Sequence, residues 1–134
     1  MKKTKKRKNQ TLSSIHKLAW ATFSEWVRRS NADWRGYVNC VTCGVKKHWK
    51  EMDAGHFRHL DALDFDEHNV HVQCDRCNRR LSGNRGKYAI FIVRKYGLEV
   101  AEGLESYRPE GKKALNMTEL FAIREKYKKA LSEL

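Results

Sequence analysis

The sequence has no long apolar run and only one proline among its 134 residues. A helix that crosses a bilayer needs about 20 consecutive, mostly apolar residues, and no such stretch is present. Residues 2 to 8 are mostly lysine with no apolar segment behind them, which argues against a secretory signal peptide. The length and the 40% hydrophobic composition therefore predict one soluble domain without a membrane partner.

Acidic residues are scarce relative to basic ones, since the chain carries 28 Lys+Arg against 16 Asp+Glu, a formal charge of +12. Such a charge favours nucleic acid as a partner, because binding releases counterions from the phosphates. We predict that residues 1–10 form a disordered basic tail that touches phosphate when DNA is present, and that residues 11–134 form a single domain. The six positive charges of the tail are Lys2, Lys3, Lys5, Lys6, Arg7 and Lys8.

Apolar residues at three- and four-residue steps predict a helix from Thr11 to about Arg29, with Thr11 or Ser13 as its cap. Trp20 departs from this stripe, and we interpret it as a packing residue rather than a platform for a DNA base. Glycine, proline and the spacing of apolar residues predict the other secondary-structure elements. These are hairpins and loops over 35–84, a helix over 88–96 that ends at Gly97, one or two turns over 98–107 before Pro109, and a helix from Thr118 onward.

The four cysteines fall into two CxxC pairs, Cys40-Val-Thr-Cys43 and Cys74-Asp-Arg-Cys77. Each pair places two sulfurs on one side of a tight turn, and two such turns complete the tetrahedral four-thiolate shell of a structural Zn²⁺. The alternative is two disulfides, which need an oxidising compartment. We therefore predict a structural zinc site.

The segment between the cysteine pairs holds candidates for catalysis. His56 is predicted at the end of a short strand, Asn69 follows some dozen residues on, and Asn78 comes directly after Cys77. This order is similar to that of the HNH, or ββα-metal, nucleases. Their chemistry needs a neutral imidazole to take a proton from water and a hard cation, Mg²⁺ or Mn²⁺, to polarise the phosphate. Asn78 has two possible roles: it gives an oxygen to the metal, or it fixes the histidine ring through a hydrogen bond.

Three blocks of sequence in a fixed order resemble the phage lambda NinG family, also called Rap. The blocks are Asp53-Ala-Gly-His-Phe, then Asn69-Val-His-Val-Gln-Cys-Asp-Arg-Cys-Asn, then Ser82-Gly-Asn. The resemblance implies a phage-encoded recombination protein in the cytoplasm of a bacterial host. It also implies a structure-specific endonuclease acting on branched DNA such as Holliday junctions and D-loops. Because junction resolution requires two symmetric cuts, we expect a homodimer. The Trp-containing N-terminal helix is the suspected contact, although the apolar stripe of a helix more often packs inside its own chain.

A more distant resemblance, to the junction resolvase phage endonuclease VII, implies that His56 is the general base and Asn78 a ligand of the catalytic metal. Such sites place an aspartate directly before the histidine, where this chain has Gly55. Asp53 is the nearest carboxylate, about 6.6 Å away along an ideal strand, and is expected to reach the metal only if a bulge or turn intervenes. Further candidates are His59, His71 and Asn84, and the DNA-binding candidates beyond the tail are Arg58, Arg79, Arg80 and Arg85.

The predicted fold class is α+β, a small zinc-stabilised ββα-metal (HNH-like, treble-clef-type) core flanked by N- and C-terminal helices. Two other functions remain open. One is a non-enzymatic zinc module that binds DNA, which explains the cysteines and the charge but not the order of the histidine and asparagines. The other is an HNH endonuclease that cuts ordinary duplex.

Overall fold

The computed structural model describes residues 11–111 and 114–134, which form a mixed α+β fold. Along the chain, two small antiparallel sheets in these residues follow an N-terminal helix and precede three later helices. In chain order the elements are α1 Leu12–Arg29, β1 Tyr37–Asn39, β2 Lys46–His48, β3 Asp53–His56, β4 Val70–Gln73, α2 Arg85–Tyr96, α3 Leu98–Ser106 and α4 Met117–Ser132.

Helix α1 begins where the sequence predicts. The side chain of Thr11 accepts a hydrogen bond from the Ser14 N–H, and the Ser14 hydroxyl accepts one from the Thr11 N–H, which satisfies two free N–H groups at the helix start. One face of α1 is buried against α4 and β3, and Phe23 is its centre, 4.7 Å from the ring of Tyr127. The two terminal helices therefore pack together behind β3.

The first sheet pairs β1 with β2, and the second pairs β3 with β4 in the register Asp53↔Gln73 to His56↔Val70. His56 is the last residue of β3, as predicted. Trp49–Glu51 and Asp61–Leu63 form 3₁₀ turns. After β4 the chain enters a π-helical turn, Arg76–Arg80, a rare conformation that recurs at functional sites.

Three helix boundaries differ from the sequence prediction. Helix α2 starts at Arg85, ahead of the predicted residue 88, because Asn84 adopts a left-handed conformation and Gly86 is accommodated in the first turn. Gly97, at φ +97°, ends α2 as predicted, and the segment behind it is a full helix, α3. Helix α4 starts one residue before Thr118, capped by Asn116 and Glu119.

The predicted basic tail, residues 1–10, lies outside the described residues, so its conformation stays a prediction. Within the described ranges, no helix is both long enough and apolar enough to cross a membrane.

Candidate functional site

The four cysteine side chains meet at one point between the two sheets. Their Sγ atoms all lie within 4.8 Å of one another, and those of Cys43 and Cys74 are 3.7 Å apart. Four thiolates around a tetrahedral Zn²⁺ are about 3.8 Å apart, whereas a disulfide holds its sulfurs at about 2.05 Å. All four are free cysteines. The cluster can therefore hold a structural metal such as zinc.

Polar groups around the sulfurs suit such a metal. The hydroxyl of Thr42 lies 3.2 Å from Cys40 Sγ, and the Cys77 N–H donates to Cys74 Sγ. Burial raises the pKa of Cys40, but hydrogen bonds, led by that of Thr42, outweigh it and lower the pKa to about 6. Burial is the main cause that raises the pKa of Cys74 to about 12. A bound cation would offset the cost of burying a Cys74 thiolate, because a thiol that coordinates zinc is deprotonated.

Gly55 is required by the packing of β3 on β4. A Cβ at this position would lie 1.9 Å from Gln73 Oε1 and 3.0 Å from Asn78 Oδ1. The amide nitrogen of Gln73 donates to Thr42 and to the carbonyl of Gly83, and its Oε1 is buried with no hydrogen-bond donor among the described residues. The position before His56 is thus filled by the Gln73 amide, which explains why no aspartate stands there.

Asp53, whose role as a metal ligand the sequence left open, lies beside Asn78. The amide of Asn78 is 3.1 Å from Asp53 Oδ2, and Arg79 Nε is 3.3 Å from the same oxygen. The register of β3 is regular from Asp53 to His56. No bulge therefore interrupts this strand, and the π-helical turn instead brings Asn78 to Asp53.

His56 leaves β3 on the other side, toward α1. Its ring stacks on Trp20, with centroids 4.8 Å apart and an interplanar angle of 17°. Its Nε2 is buried and lies 3.4 Å from Asp64 Oδ1, without a hydrogen bond of good geometry among the described residues. Burial is the main cause that lowers the pKa of His56, while the charge of Asp64 acts in the opposite direction. Burial therefore favours the neutral imidazole.

A cleft of about 460 Å³ lies beside the start of β3. Trp20, which carries the His56 ring, lines it together with Asp53 and Asn78. Arg28 and Lys50 supply positive charge at its wall. The cleft can thus offer oxygen ligands to a cation and cationic side chains to an anion, next to Trp20, on which the histidine ring stacks.

Asn69, predicted as catalytic, is fully buried in the loop between β3 and β4. Its Oδ1 accepts from the Arg58 backbone N–H, and its amide donates to the carbonyls of Arg58 and Leu63. It therefore holds the loop that carries Asp64 and cannot touch a substrate in this arrangement.

The other candidates occupy different surroundings. His71 is a buried core residue between the hydroxyls of Tyr88 and Tyr96, and burial lowers its pKa to about 3. His59 is exposed, with its ring 5.5 Å from that of His56. Asn84 donates to Cys77 Sγ, so it supports the cysteine cluster rather than the His56 side.

The predicted DNA-binding arginines are held to different degrees. Arg58 donates to the carbonyls of Leu104 and Glu105, and Arg85 pairs with the Glu105 carboxylate at 2.6 Å. Arg79 spans Asp53 and Asp75, and Arg80 is exposed. The lysines of the tail lie outside the described residues.

Sequence reasoning did not identify Asp64 or the role of Trp20. Trp20 does pack, as predicted, but its partners include His56 as well as Phe23 and Phe65. A signal for Trp20 was its departure from the apolar stripe of α1. Asp64 is one of several carboxylates in residues 61–67, and only the fold of that loop distinguishes it.

The fold and the site define the class of protein, a mixed α+β domain with a four-cysteine cluster that can hold a metal. The chain belongs to the NinG family, because the family model described as "NinG: Bacteriophage Lambda NinG protein" matches residues 1–134. Protein ninG of Escherichia phage 933W is 31% identical over 130 residues, covering 90% of this chain and 63% of the relative. Protein ninG of Salmonella phage P22 is 29% identical with the same coverage, and that of Escherichia phage lambda is 29% identical, with 62% of the relative covered.

The chain thus spans a little less than two thirds of the length of these curated relatives. No solved structure shows detectable similarity to it.

Proposed function

We propose that this chain is a metal-dependent DNA endonuclease with a ββα-metal (HNH-type) core similar to that of phage endonuclease VII. The observation that carries the proposal is the contact of Asp53 and Asn78 at one end of the strand whose other end is His56. Two oxygen ligands for a hard cation, on Asp53 and Asn78, line one cleft together with Trp20, and the Trp20 ring stacks on the histidine, His56. These are the two parts that metal-assisted phosphodiester hydrolysis needs.

A structural Zn²⁺ on Cys40, Cys43, Cys74 and Cys77 is the second part of the proposal. The mutual Sγ distances fit a tetrahedral four-thiolate site. Because Asn78 directly follows Cys77, the zinc would fix the π-helical turn and with it the position of the Asn78 amide. Zinc here supports the active site without taking part in the reaction.

Asp53 Oδ2 and the side-chain oxygen of Asn78 are the proposed ligands of a catalytic cation. The oxygen and nitrogen of an asparagine amide are assigned from their surroundings. Turning the Asn78 amide would place its oxygen beside Asp53 and its nitrogen toward the buried Gln73 Oε1, which has no donor otherwise. Mg²⁺ or Mn²⁺ there would polarise the scissile phosphate and neutralise the leaving 3′ oxygen.

His56 is the proposed general base. Asp64 favours the tautomer with the proton on Nε2, which leaves Nδ1 free to accept a proton. Nδ1 takes that proton from water as the water oxygen bonds to phosphorus and the bond from phosphorus to the 3′ oxygen breaks. The stack on Trp20 restricts the ring to one orientation. Asn69 acts as a positioning residue through the loop that carries Asp64.

Branched recombination intermediates, Holliday junctions and D-loops, are the proposed substrates. The resemblance of the sequence blocks to the NinG family and the net charge of +12 support this choice. A homodimer would supply the two symmetric cuts of junction resolution. Cleavage would take place in the cytoplasm of the bacterial host.

The test is a cleavage assay on a four-way junction and a linear duplex of matched sequence, with Mg²⁺ or Mn²⁺. His56→Ala should lower turnover about 10²–10⁴-fold, because a general base is lost. Asn78→Ala should be partly rescued by a higher concentration of the cation, and Asn78→Asp should retain more activity. The matched control is His68→Ala, which removes an exposed histidine beside Tyr96 and should cut normally.

Preference for the junction supports the recombination role, whereas equal cutting of both DNAs favours a generic duplex endonuclease. A wild type that binds branched DNA and cuts nothing with either cation refutes the enzyme proposal in favour of a zinc-containing DNA-binding module.

A further inference from the structure

Trp34 is the most exposed large apolar side chain in the described residues, with 93% of its surface open to solvent. An exposed tryptophan is unfavourable, because burial of its large apolar surface lowers the free energy. It lies in the connection between α1 and β1. Neither the cysteine cluster nor the His56 side uses it.

The turn that carries Trp34 is rigid. The carboxylate of Asp33 accepts the backbone N–H groups of Arg35 and Tyr37, and the hydrogen bond from Tyr37 is the main cause that lowers its pKa. Gly36 has φ +85°, and a Cβ there would lie 2.5 Å from the His48 ring. The Trp34 ring is therefore presented on a fixed backbone, so little conformational entropy is lost when a ligand contacts it.

Cationic and aromatic side chains surround this turn. The guanidinium of Arg35 lies 5.7 Å from the Trp34 ring centroid and 5.4 Å from that of Tyr37. A cleft of about 500 Å³ beside it is lined by Trp34 together with Arg29 and Trp49. The Asp33 carboxylate is offset by Arg35 at 3.7 Å and Lys46 at 3.8 Å. The surface thus combines a flat apolar ring with net positive charge.

This surface is continuous with the cleft at Asp53 and Asn78. Arg28 lines that cleft, and its guanidinium lies 5.2 Å from the Trp49 ring centroid. The guanidinium of Arg29 lies 5.3 Å from the centroid of the same Trp49 ring, and Arg29 lines the cleft beside Trp34. Lys50 also contacts both Trp49 and the first cleft. A line of aromatic and basic side chains therefore leads from the candidate active site to Trp34.

We propose that Trp34 and Arg35 form a stacking platform for an unpaired DNA base, and that the strand follows Arg29, Trp49 and Arg28 toward the cleft. Proteins that bind single strands combine a positive groove with aromatic rings on which bases stack, whatever the base. Bases in a linear duplex are already stacked on their neighbours. The platform would therefore select branched DNA that exposes unpaired bases at or near the branch.

Charge argues for DNA over a protein occupant. Basic side chains contact both ends of this surface, and Asp33, the carboxylate within it, is already paired. If this surface met its own copy across a two-fold axis, the same basic side chains would face one another and repel at low salt. The inference rests on the proposed function only for the identity of the ligand as DNA.

The test measures binding by fluorescence anisotropy in the full chain, with three labelled DNAs that share one strand: a fork with single-stranded arms, a single strand and a linear duplex. Trp34→Ala should weaken binding of the fork and the single strand roughly 5- to 100-fold, the range for loss of one base–aromatic stack. Duplex affinity should change less than about twofold. Trp34→Phe should retain most of the affinity, because it keeps a stacking face.

Leu98→Ala is the matched control, because it also removes an exposed apolar side chain, 59% exposed, at the start of α3. It should bind all three DNAs as the wild type does. Since Trp34 packs on no core residue, the Trp34→Ala protein should keep its melting temperature. An equal loss of fork affinity when Trp34→Ala is added to His56→Ala would show that the platform acts on DNA binding and does not depend on cleavage.

Equal affinity of Trp34→Ala and wild type for the fork overturns the inference, even if cleavage by the wild type is established. A shift of Trp34→Ala from dimer to monomer, with an equal loss for all three DNAs, overturns it in favour of a contact between two copies. A wild type that binds none of the DNAs overturns both this inference and the proposed function. Binding with the predicted Trp34 dependence but no cleavage overturns the proposed function alone.

Discussion

At the residue scale, the environment of His56 depends on two side chains distant from it in sequence. Trp20 comes from α1 and Asp64 from the loop before β4. The stack on Trp20 and the burial of Nε2 restrict rotation of the His56 ring. Burial also lowers the pKa of His56. A carboxylate beside a catalytic histidine commonly sets its tautomer and supports the imidazolium that forms in the reaction. Asp64 is therefore the best place to test whether His56 acts as a base.

Asp64→Asn should lower kcat about 10- to 100-fold and move the acid limb of the kcat/KM profile to lower pH. The shift has this sign because the Asp64 charge raises the pKa of His56, so its removal lets burial lower that pKa further. The profile is measured on a four-way junction between pH 5 and 9. Asp61→Asn, in the exposed start of the same turn, is the control and should leave both the rate and the limb unchanged. A lower rate with an unshifted limb would mean that Asp64 has a structural role only.

At the element scale, the two CxxC turns connect both sheets. Cys40 follows β1, and Cys74 follows β4, so a metal between them would tie one sheet to the other. The surrounding core is small, since Val38, Met52 and Val72 are its buried apolar residues beside the cysteines. Metal binding to sites absent from the unfolded chain adds to folding free energy. This part of the fold should therefore depend on the metal.

Removal of the metal should abolish cooperative thermal unfolding of the purified protein. Elemental analysis should find one zinc per chain, and Cys74→Ser or a strong chelator should remove it, because apparent zinc binding energies of about 10–16 kcal/mol match or exceed the stability of a typical domain. Circular dichroism with temperature is the readout, and re-addition of Zn²⁺ to the chelated wild type should restore the transition. Ser106→Ala, at an exposed position, is the neutral control. A zinc-free protein with an unchanged transition would contradict the proposed site.

At the scale of the whole molecule, the proposed interaction with DNA would depend on charge. The formal charge is +12, and six of the basic residues lie in the first eight positions. Some arginines in the described residues already form ion pairs with carboxylates, as Arg79 does with Asp53 and Arg85 with Glu105. The tail should therefore contribute much of the affinity that does not depend on DNA structure.

Deletion of residues 2–8 should make DNA affinity less sensitive to salt. In the wild type the logarithm of the binding constant should fall linearly with the logarithm of salt concentration, and loss of six phosphate contacts would reduce this slope by up to about 5. Titrations of linear duplex between 50 and 200 mM salt measure it, with cleavage at low salt as the check that the active site is intact. An equal slope in both proteins would mean that the tail does not contact phosphate.

The sequence by itself determined the features that depend on local spacing. The CxxC pairs bring their own sulfurs together, apolar periodicity predicted α1, and Gly97 ended α2 because it takes a left-handed φ at little cost. Only the tertiary structure decided which side chains meet across the chain. It joined Asp53 to Asn78, set Trp20 and Asp64 against His56, and enclosed Asn69 and His71. The reason is physical: local spacing determines which residues share a turn or a face, whereas contacts between distant residues depend on how the packed elements lie against one another.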